Sequence, residues 1–150
     1  MAFVAVVMGS KTDESLMEPA LKVLSQLGIE YEVSVMSAHR SPNRVRDFGL
    51  GARQKGVEVI IAGAGGAAHL PGVLAAWTDL PVIGVPLATT ELKGVDALYS
   101  IVQMPSGVPV AAVGIGAAKN AALLAARILS LKYLSVAEAY DKYRRELEGN

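Results

Sequence analysis

The sequence contains no cysteine. Disulfide bonds, thiolate nucleophiles and cysteine-ligated zinc are therefore excluded. The absence is also typical of proteins in a reducing compartment. We therefore expect a cytoplasmic location.

An excess of charge and long apolar runs are absent as well. Fourteen basic and fourteen acidic residues give a formal net charge of zero, so no broad field attracts nucleic acid or anionic lipid. No apolar run is long enough and free enough of turn residues to cross a bilayer. The apolar start, residues 1–8, lacks basic residues and is typical of a buried strand, not of a signal peptide. We expect neither a nucleic-acid nor a membrane partner.

What the sequence does contain is mostly apolar. Hydrophobic residues make up 52% of the chain and charged residues 19%. A chain of 150 residues with this composition is long enough to bury a core as one domain, which we expect to span residues 1–150. The composition is more apolar than that of a typical monomer. We therefore expect a homo-oligomer, in which part of the apolar surface contacts other subunits.

Short runs rich in valine and isoleucine alternate with segments of helical periodicity. The predicted strands are Phe3–Met8, Tyr31–Val35, Val57–Ala62, Val82–Val85 and Val108–Val113. The predicted helices are Asp13–Leu27, Asn43–Lys55, Pro71–Trp77, Ala117–Leu131 and Val136–Leu147. This alternation predicts an α/β fold, in which helices cover both faces of a parallel sheet.

The predicted helix 117–131 is apolar around most of its circumference and rich in alanine. Such a helix is normally buried on all sides. In so short a chain we expect it to lie at a subunit interface. The alternative is a central helix packed within one domain.

Ligands of an open parallel sheet bind beyond the carboxyl ends of its strands, so the loops after the strands are the candidate site. The first loop contains Ser10 and Asp13 at the start of a predicted helix. These residues suit either simple helix capping or a nucleotide site, in which Ser10 and the helix start hold a phosphate and Asp13 accepts from ribose hydroxyls.

The second and third loops carry both histidines of the chain. In the second loop, Arg40 can pair with a phosphate through two hydrogen bonds, and His39 can transfer protons near neutral pH. The third loop, Gly63–Ala68, has no side chain larger than alanine, so its backbone can approach a ligand. His69, which follows it, suits either a ligand contact or a buried residue that holds the loop.

The sequence lacks the motifs that are typical of several other kinds of active site. The chain has no phosphate-binding lysine loop of the ATPase type, no His, Asp and Glu grouping with metal-ligand spacing, and no nucleophilic serine elbow. The glycine loop departs from the dinucleotide fingerprint at its last glycine, and no suitable acid follows the second strand.

At these loops the sequence resembles class I N5-carboxyaminoimidazole ribonucleotide mutase, the bacterial PurE family. The matching segments cover nearly the whole chain and are Val7–Ser10 with Asp13, Ser37–Pro42, Ala62–Gly72, Pro81–Pro86, Ser100–Pro105 and Asn120–Ala126. The resemblance implies a three-layer flavodoxin-like fold, a homo-octamer, a small ribonucleotide substrate and no metal or nucleotide cofactor. It also implies an isomerase of purine biosynthesis, which moves a carboxylate from an exocyclic nitrogen to a ring carbon.

The resemblance implies a role for each matching residue. It makes His39 the general acid and base, and it makes His69 a histidine of the pocket. The residues that it implies for substrate binding are Ser10, Asp13 and Arg40 on the nucleotide, Ser37 and Ala38 in the same loop as His39, and Gly65, Gly66 and Ala67 around the migrating carboxylate. The sequence departs from the family pattern at Ser41, where threonine is usual, and at Ala97 and Ala112, where some members have serine and threonine.

Two alternatives remain open at this point. One is the sister class, which carboxylates aminoimidazole ribonucleotide directly with CO2. The other is a flavodoxin-like module that binds a phosphorylated ligand without catalysis. A flavin-binding module should place aromatic residues near the strand ends, but the chain has only two Phe, one Trp and five Tyr.

Overall fold

The computed structural model describes residues 1–149, and its centre is a sheet of five parallel strands in the order β2-β1-β3-β4-β5. The strands are β1 (Phe3–Met8), β2 (Glu30–Val35), β3 (Val59–Gly65), β4 (Val82–Leu87) and β5 (Ala111–Ala112). One row of the register pairs Val33, Val6, Ile61, Ile83 and Ala111 across the sheet. This is the flavodoxin-like strand order, so the predicted fold is confirmed.

Helices cover both faces of this sheet. They are α1 (Glu14–Gln26), α2 (Pro42–Gly51), α3 (Leu70–Trp77), α4 (Val95–Val102), α5 (Ala118–Ser130) and α6 (Leu134–Glu148). Helices α1, α5 and α6 pack on one face, and α2, α3 and α4 on the other. Among residues 1–149, no helix is long and apolar enough to cross a membrane.

The two helical layers explain why the central strands β1, β3 and β4 are almost continuously apolar, whereas the edge strand β2 is half polar and only partly buried. Along β1, Val4, Val6 and Met8 point into the core beneath α1 and α5. Ala5 and Val7 point into the core on the other face. A parallel sheet covered on both sides has no solvent face, so polar residues have no place in its central strands.

Several predicted elements differ from the structure at their ends. The predicted strand 57–62 is shifted, because β3 spans Val59–Gly65 and includes the first three residues of the predicted third loop. The predicted strand 108–113 pairs with β4 only at Ala111 and Ala112, because Pro109 has no N–H to donate and Val108 is bonded into a turn with Pro105. The predicted helix 43–55 begins at Pro42 and ends at Gly51, and turns follow.

Helix α4 is absent from the sequence prediction. It starts after Gly94, whose φ of 91° lies in the left-handed region and which has no side chain to cap the helix. A helix that begins without Ser, Thr, Asp or Asn at its cap lacks the usual start signal. Its periodicity is nevertheless present, since Ala97 and Ile101 are both buried against the sheet.

Helix α5 is buried within the chain itself. It packs between α1, α6 and the sheet. Its fully buried residues are small ones with a single leucine, namely Ala118, Ala121, Ala122, Ala125, Ala126 and Leu129. Alanines let three neighbours approach the helix closely, so its apolar circumference needs no second subunit. Packing within one chain therefore explains these six residues, while an interface at α5 stays a prediction.

Candidate functional site

The loops beyond the carboxyl ends of β1, β2, β3 and β4 line an open cavity of about 220 Å³. Its walls are Gly9, Ser10, Thr12, Asp13, Ser37, Ala38, His39, Arg40, Ala64, Gly65, Ala68, His69, Leu70 and Thr89. This is the edge at which ligands of open parallel sheets bind.

The first loop forms a short 3-10 turn that ends at Asp13. The Ser10 side chain accepts from the Thr12 backbone N–H at 3.4 Å, and the two hydroxyl groups lie 2.9 Å apart. Ser10 therefore does cap the turn, as one of the two interpretations predicts. Asp13 is buried, and this burial raises the pKa of its carboxyl group, although its backbone hydrogen bond with Ser10 lowers it in part.

The second loop is held by a hydrogen-bonded turn around Ser37. The Ser37 hydroxyl accepts from the Arg40 backbone N–H at 3.1 Å. The Ser37 carbonyl accepts from both the N–H and the hydroxyl of Ser41, at 2.9 and 3.2 Å. Serine at position 41 thus supplies the hydroxyl that a threonine would, and the turn presents His39 and Arg40 to the cavity.

The guanidinium group of Arg40 is free to bind a ligand. Among residues 1–149 it takes part in no hydrogen bond or ion pair within the chain, and the residue is exposed. Its neighbours are engaged, since Arg44 donates to the Val35 carbonyl at 2.8 Å and Arg46 pairs with Asp47 at 3.0 Å. A free guanidinium in a cavity wall is suited to two parallel hydrogen bonds with a phosphate.

The third loop bends sharply at the end of β3. Gly66 and Ala68 have φ angles of 59° and 43°, and the Ala68 N–H donates to the Gly65 carbonyl at 3.0 Å. The alanine in this left-handed conformation is unusual. The bend carries the chain directly into α3, which begins after His69.

The loops bring the two histidines, thirty residues apart, into direct contact. His39 Nε2 lies 2.6 Å from His69 Nδ1, and the rings meet edge to face with their centroids 4.7 Å apart. At this distance one nitrogen must donate and the other accept, since two N–H groups or two lone pairs would repel. One N–H···N hydrogen bond therefore joins the two rings in the cavity wall.

Most of the predicted site residues lie in the cavity wall, but two do not. Ser10, Asp13, Ser37, Ala38, His39, Arg40, Gly65 and His69 line it. Gly66 and Ala67 lie outside it, because the bend turns Ala67 to the surface. Ala68 and Leu70 take their place. Ala97 and Ala112, the two departures from the family pattern, also lie away from the wall.

Sequence reasoning missed Thr89, which lines the cavity from the loop after β4. The same rule that selected the first three loops applies to this fourth one, so a signal for it existed. No Phe, Tyr or Trp lies in the wall, and a flavin ring would therefore find no aromatic stacking partner among the wall residues.

The chain is similar over nearly its full length to known proteins. The sequence model of the AIR carboxylase family matches residues 3–150. The N5-carboxyaminoimidazole ribonucleotide mutase of Pyrococcus abyssi is 56% identical over 145 residues, which are 97% of this chain and 83% of that protein. The mutase of Saccharolobus solfataricus is 55% identical over 147 residues, which are 98% and 93%. The crystal structure of Treponema denticola PurE has a TM-score of 0.88 at 30% identity and covers 99% of this chain and 93% of that one.

Proposed function

Because this chain belongs to the AIR carboxylase family, we propose that it is a mutase that interconverts N5-carboxyaminoimidazole ribonucleotide and 4-carboxy-5-aminoimidazole ribonucleotide. The reaction is a step in the biosynthesis of the purine nucleotide IMP. The observation that carries the proposal is the contact of His39 with His69 at 2.6 Å, in a cavity that Arg40 also lines. Histidine can donate and accept protons near neutral pH, and the arginine supplies a partner for the phosphate of the nucleotide.

The nucleotide part of the substrate is held by the first two loops. Arg40 and Ser10 bind the phosphate, because a guanidinium and a hydroxyl at the start of a helix both donate hydrogen bonds to anionic oxygens. Asp13 accepts from the ribose hydroxyls. Its position supports this role, since Asp13 lines the same cavity as Ser10 and Arg40.

The reaction needs one proton carrier that works in both directions. Protonated His39 donates to the exocyclic nitrogen of the carbamate, the nitrogen–carbon bond breaks, and CO2 leaves with no change in oxidation state. The aminoimidazole that remains is an enamine, and its C4 attacks the CO2 held beside it. Neutral His39 then removes the C4 proton, which restores the aromatic ring and returns the histidine to its starting state.

The CO2 formed in the first step has to stay in the site. The wall near the histidines is built from Ala64, Gly65, Ala68 and Leu70. These residues offer CO2 no nucleophile and bring no side-chain charge that would hold water beside it. Once the bound nucleotide covers it, such an apolar wall favours attack by C4 over escape of CO2 to solvent.

We assign His69 the role of a positioning residue that fixes the tautomer of His39. When His69 Nδ1 accepts from His39 Nε2, the other nitrogen of His39 is left to exchange a proton with the substrate. Replacing His69 by leucine should lower kcat about 10-fold with a smaller change in KM. The variant loses the hydrogen bond to His39, which becomes charged during the reaction.

Steady-state kinetics of His69→Leu test this assignment, and His69→Asn is the matched control. The asparagine amide retains a hydrogen-bonding group close to the position of Nδ1, so it should recover most of kcat. A leucine variant with the turnover of the wild-type chain would remove His69 from the mechanism.

We further propose a homo-octamer in the cytoplasm. An exposed apolar face on and beside α4 supports assembly, and it consists of Leu92, Val95, Tyr99, Val102 and Ile115. A contiguous face of this kind is typical of subunit contacts. The cavity of about 220 Å³ is also small for a nucleotide, and a neighbouring subunit would extend it. Native mass spectrometry measures the subunit number, and a monomer at micromolar concentration would contradict the octamer.

The substrate assay tests the function itself. The preformed carbamate nucleotide should be converted without added bicarbonate. Aminoimidazole ribonucleotide with bicarbonate should react only slowly. The reverse preference would assign the chain to the sister class of direct carboxylases, and no turnover with either substrate would contradict both enzymatic functions.

A further inference from the structure

Two threonines follow β4, and the structure uses them differently. The Thr90 hydroxyl donates to Asp96 at 2.7 Å and accepts from the Leu92 backbone N–H at 3.2 Å, so it anchors the loop to the start of α4. Among residues 1–149, the Thr89 hydroxyl takes part in no hydrogen bond. Thr90 is a structural residue, whereas Thr89 has an unused donor.

The Thr89 hydroxyl lies directly over the backbone of Gly65. A Cβ atom built on Gly65 would collide with the Thr89 oxygen, so the hydroxyl occupies the space that any side chain at position 65 would need. The Thr89 backbone N–H donates to the Leu87 carbonyl at 3.1 Å, which fixes the threonine close to the end of β4. The hydroxyl is thereby placed against the third loop, in the cavity wall.

The other hydroxyls of the wall are hydrogen-bonded within their own loops. Those of Ser10 and Thr12 bond to each other, and that of Ser37 accepts from the Arg40 backbone. All three belong to the first two loops, where the nucleotide is held. Around Gly65 the wall is otherwise made of alanine and leucine side chains apart from the histidine pair. Thr89 is therefore the polar side chain best placed for the part of the substrate that lies against Gly65.

We propose that Thr89 Oγ donates a hydrogen bond to the migrating carboxylate and makes the site selective for the carboxylated nucleotide. The inference rests on the proposed mutase function. A neutral hydroxyl that binds an anionic carboxylate forms a charge-assisted hydrogen bond. Substrate and product both carry this carboxylate, whereas the intermediate CO2 is uncharged. The bond therefore contributes to ground-state binding, and its loss should raise KM more than it lowers kcat.

The test compares the affinities of two ligands for the wild-type protein and two variants. Calorimetry measures the affinities of aminoimidazole ribonucleotide and of its 4-carboxy derivative for the wild type, Thr89→Val and Thr89→Ser. Valine keeps the shape without the donor, so affinity for the carboxylated nucleotide should fall about 10-fold or more. Affinity for the decarboxylated nucleotide should stay within about twofold, and serine should restore both to within about threefold.

If Thr89→Val loses affinity equally for both ligands, or loses affinity for neither, the inference is overturned. Turnover by the wild-type chain would still be evidence for the mutase. A wild-type chain that binds neither ligand would instead overturn the proposed function and this inference with it. If the valine variant does not fold, Thr89→Ala also lacks the donor and should show the same selective loss. Thr90→Val should instead lower the melting temperature, since it removes the anchor to Asp96.

Discussion

Replacement of His39 by asparagine should lower kcat by about 10³-fold while affinity for the product nucleotide changes by less than about threefold. The large effect follows from the use of one side chain for two proton transfers. Without His39 the carbamate nitrogen has no acid, and the C4 proton has no base. Binding is spared because the phosphate and ribose are held by Arg40, Ser10 and Asp13, which lie in the cavity wall around the histidine.

Single-turnover kinetics on His39→Asn measure the loss of catalysis, and calorimetry on the same preparation measures the affinity for the product nucleotide. The affinity of the variant serves as its own control for correct folding. Turnover near that of the wild type would remove His39 from the chemistry, and a parallel loss of affinity would make it a binding residue instead.

Replacement of Arg40 by alanine should weaken nucleotide affinity about 100-fold, the effect of losing one to two charge-assisted hydrogen bonds. The melting temperature should not change, because the guanidinium of Arg40 contacts no side chain of the subunit with a hydrogen bond or ion pair within residues 1–149. Once the nucleotide saturates the variant, kcat should lie close to that of the wild type.

Arg46→Ala is the matched control for this experiment. Arg46 is a nearby arginine that pairs only with its neighbour Asp47, and it lies outside the cavity wall, so its loss should leave affinity unchanged. Arg40→Lys adds a second test, because lysine keeps the charge but lacks the planar fork and should recover only part of the affinity. An unchanged affinity in Arg40→Ala would exclude the arginine from the phosphate site.

The position of the site could be predicted from the sequence because it follows from topology. The valine-rich strands and the helices between them require a parallel sheet, and the carboxyl ends of parallel strands meet at one edge. Ser10, Ser37, His39 and His69 follow these ends, so their convergence needs no knowledge of side-chain positions. The same reasoning would have included Thr89 if it had been applied to the fourth strand.

Finer features depend on distances that a residue pattern does not contain. The contact of His39 with His69 requires the turn at Ser37 and the left-handed bend at Ala68 to agree within a fraction of an ångström. The exclusion of Ala67 from the wall is a result of that same bend. No residue spacing in the sequence predicts either feature.

The composition of one helix has two explanations. The apolar circumference of α5 predicts a helix buried on all sides, but only six of its thirteen residues are buried, and Lys119, Asn120 and Arg127 are exposed. The sheet, α1 and α6 cover the buried residues within one chain, and a subunit interface at α5 stays a prediction. A group of exposed apolar residues that suits an interface lies on and near α4, the helix that is absent from the sequence prediction.

The central claim is that the carboxylate leaves and returns within one closed site. Its most direct test is conversion of the unlabelled carbamate nucleotide in ¹³C-labelled bicarbonate with carbonic anhydrase, followed by mass spectrometry of the 4-carboxy product. A cavity that retains CO2 between the two proton transfers of His39 should give product without the label. Product labelled to the level of the medium would show that CO2 exchanges with solvent, and it would contradict the account.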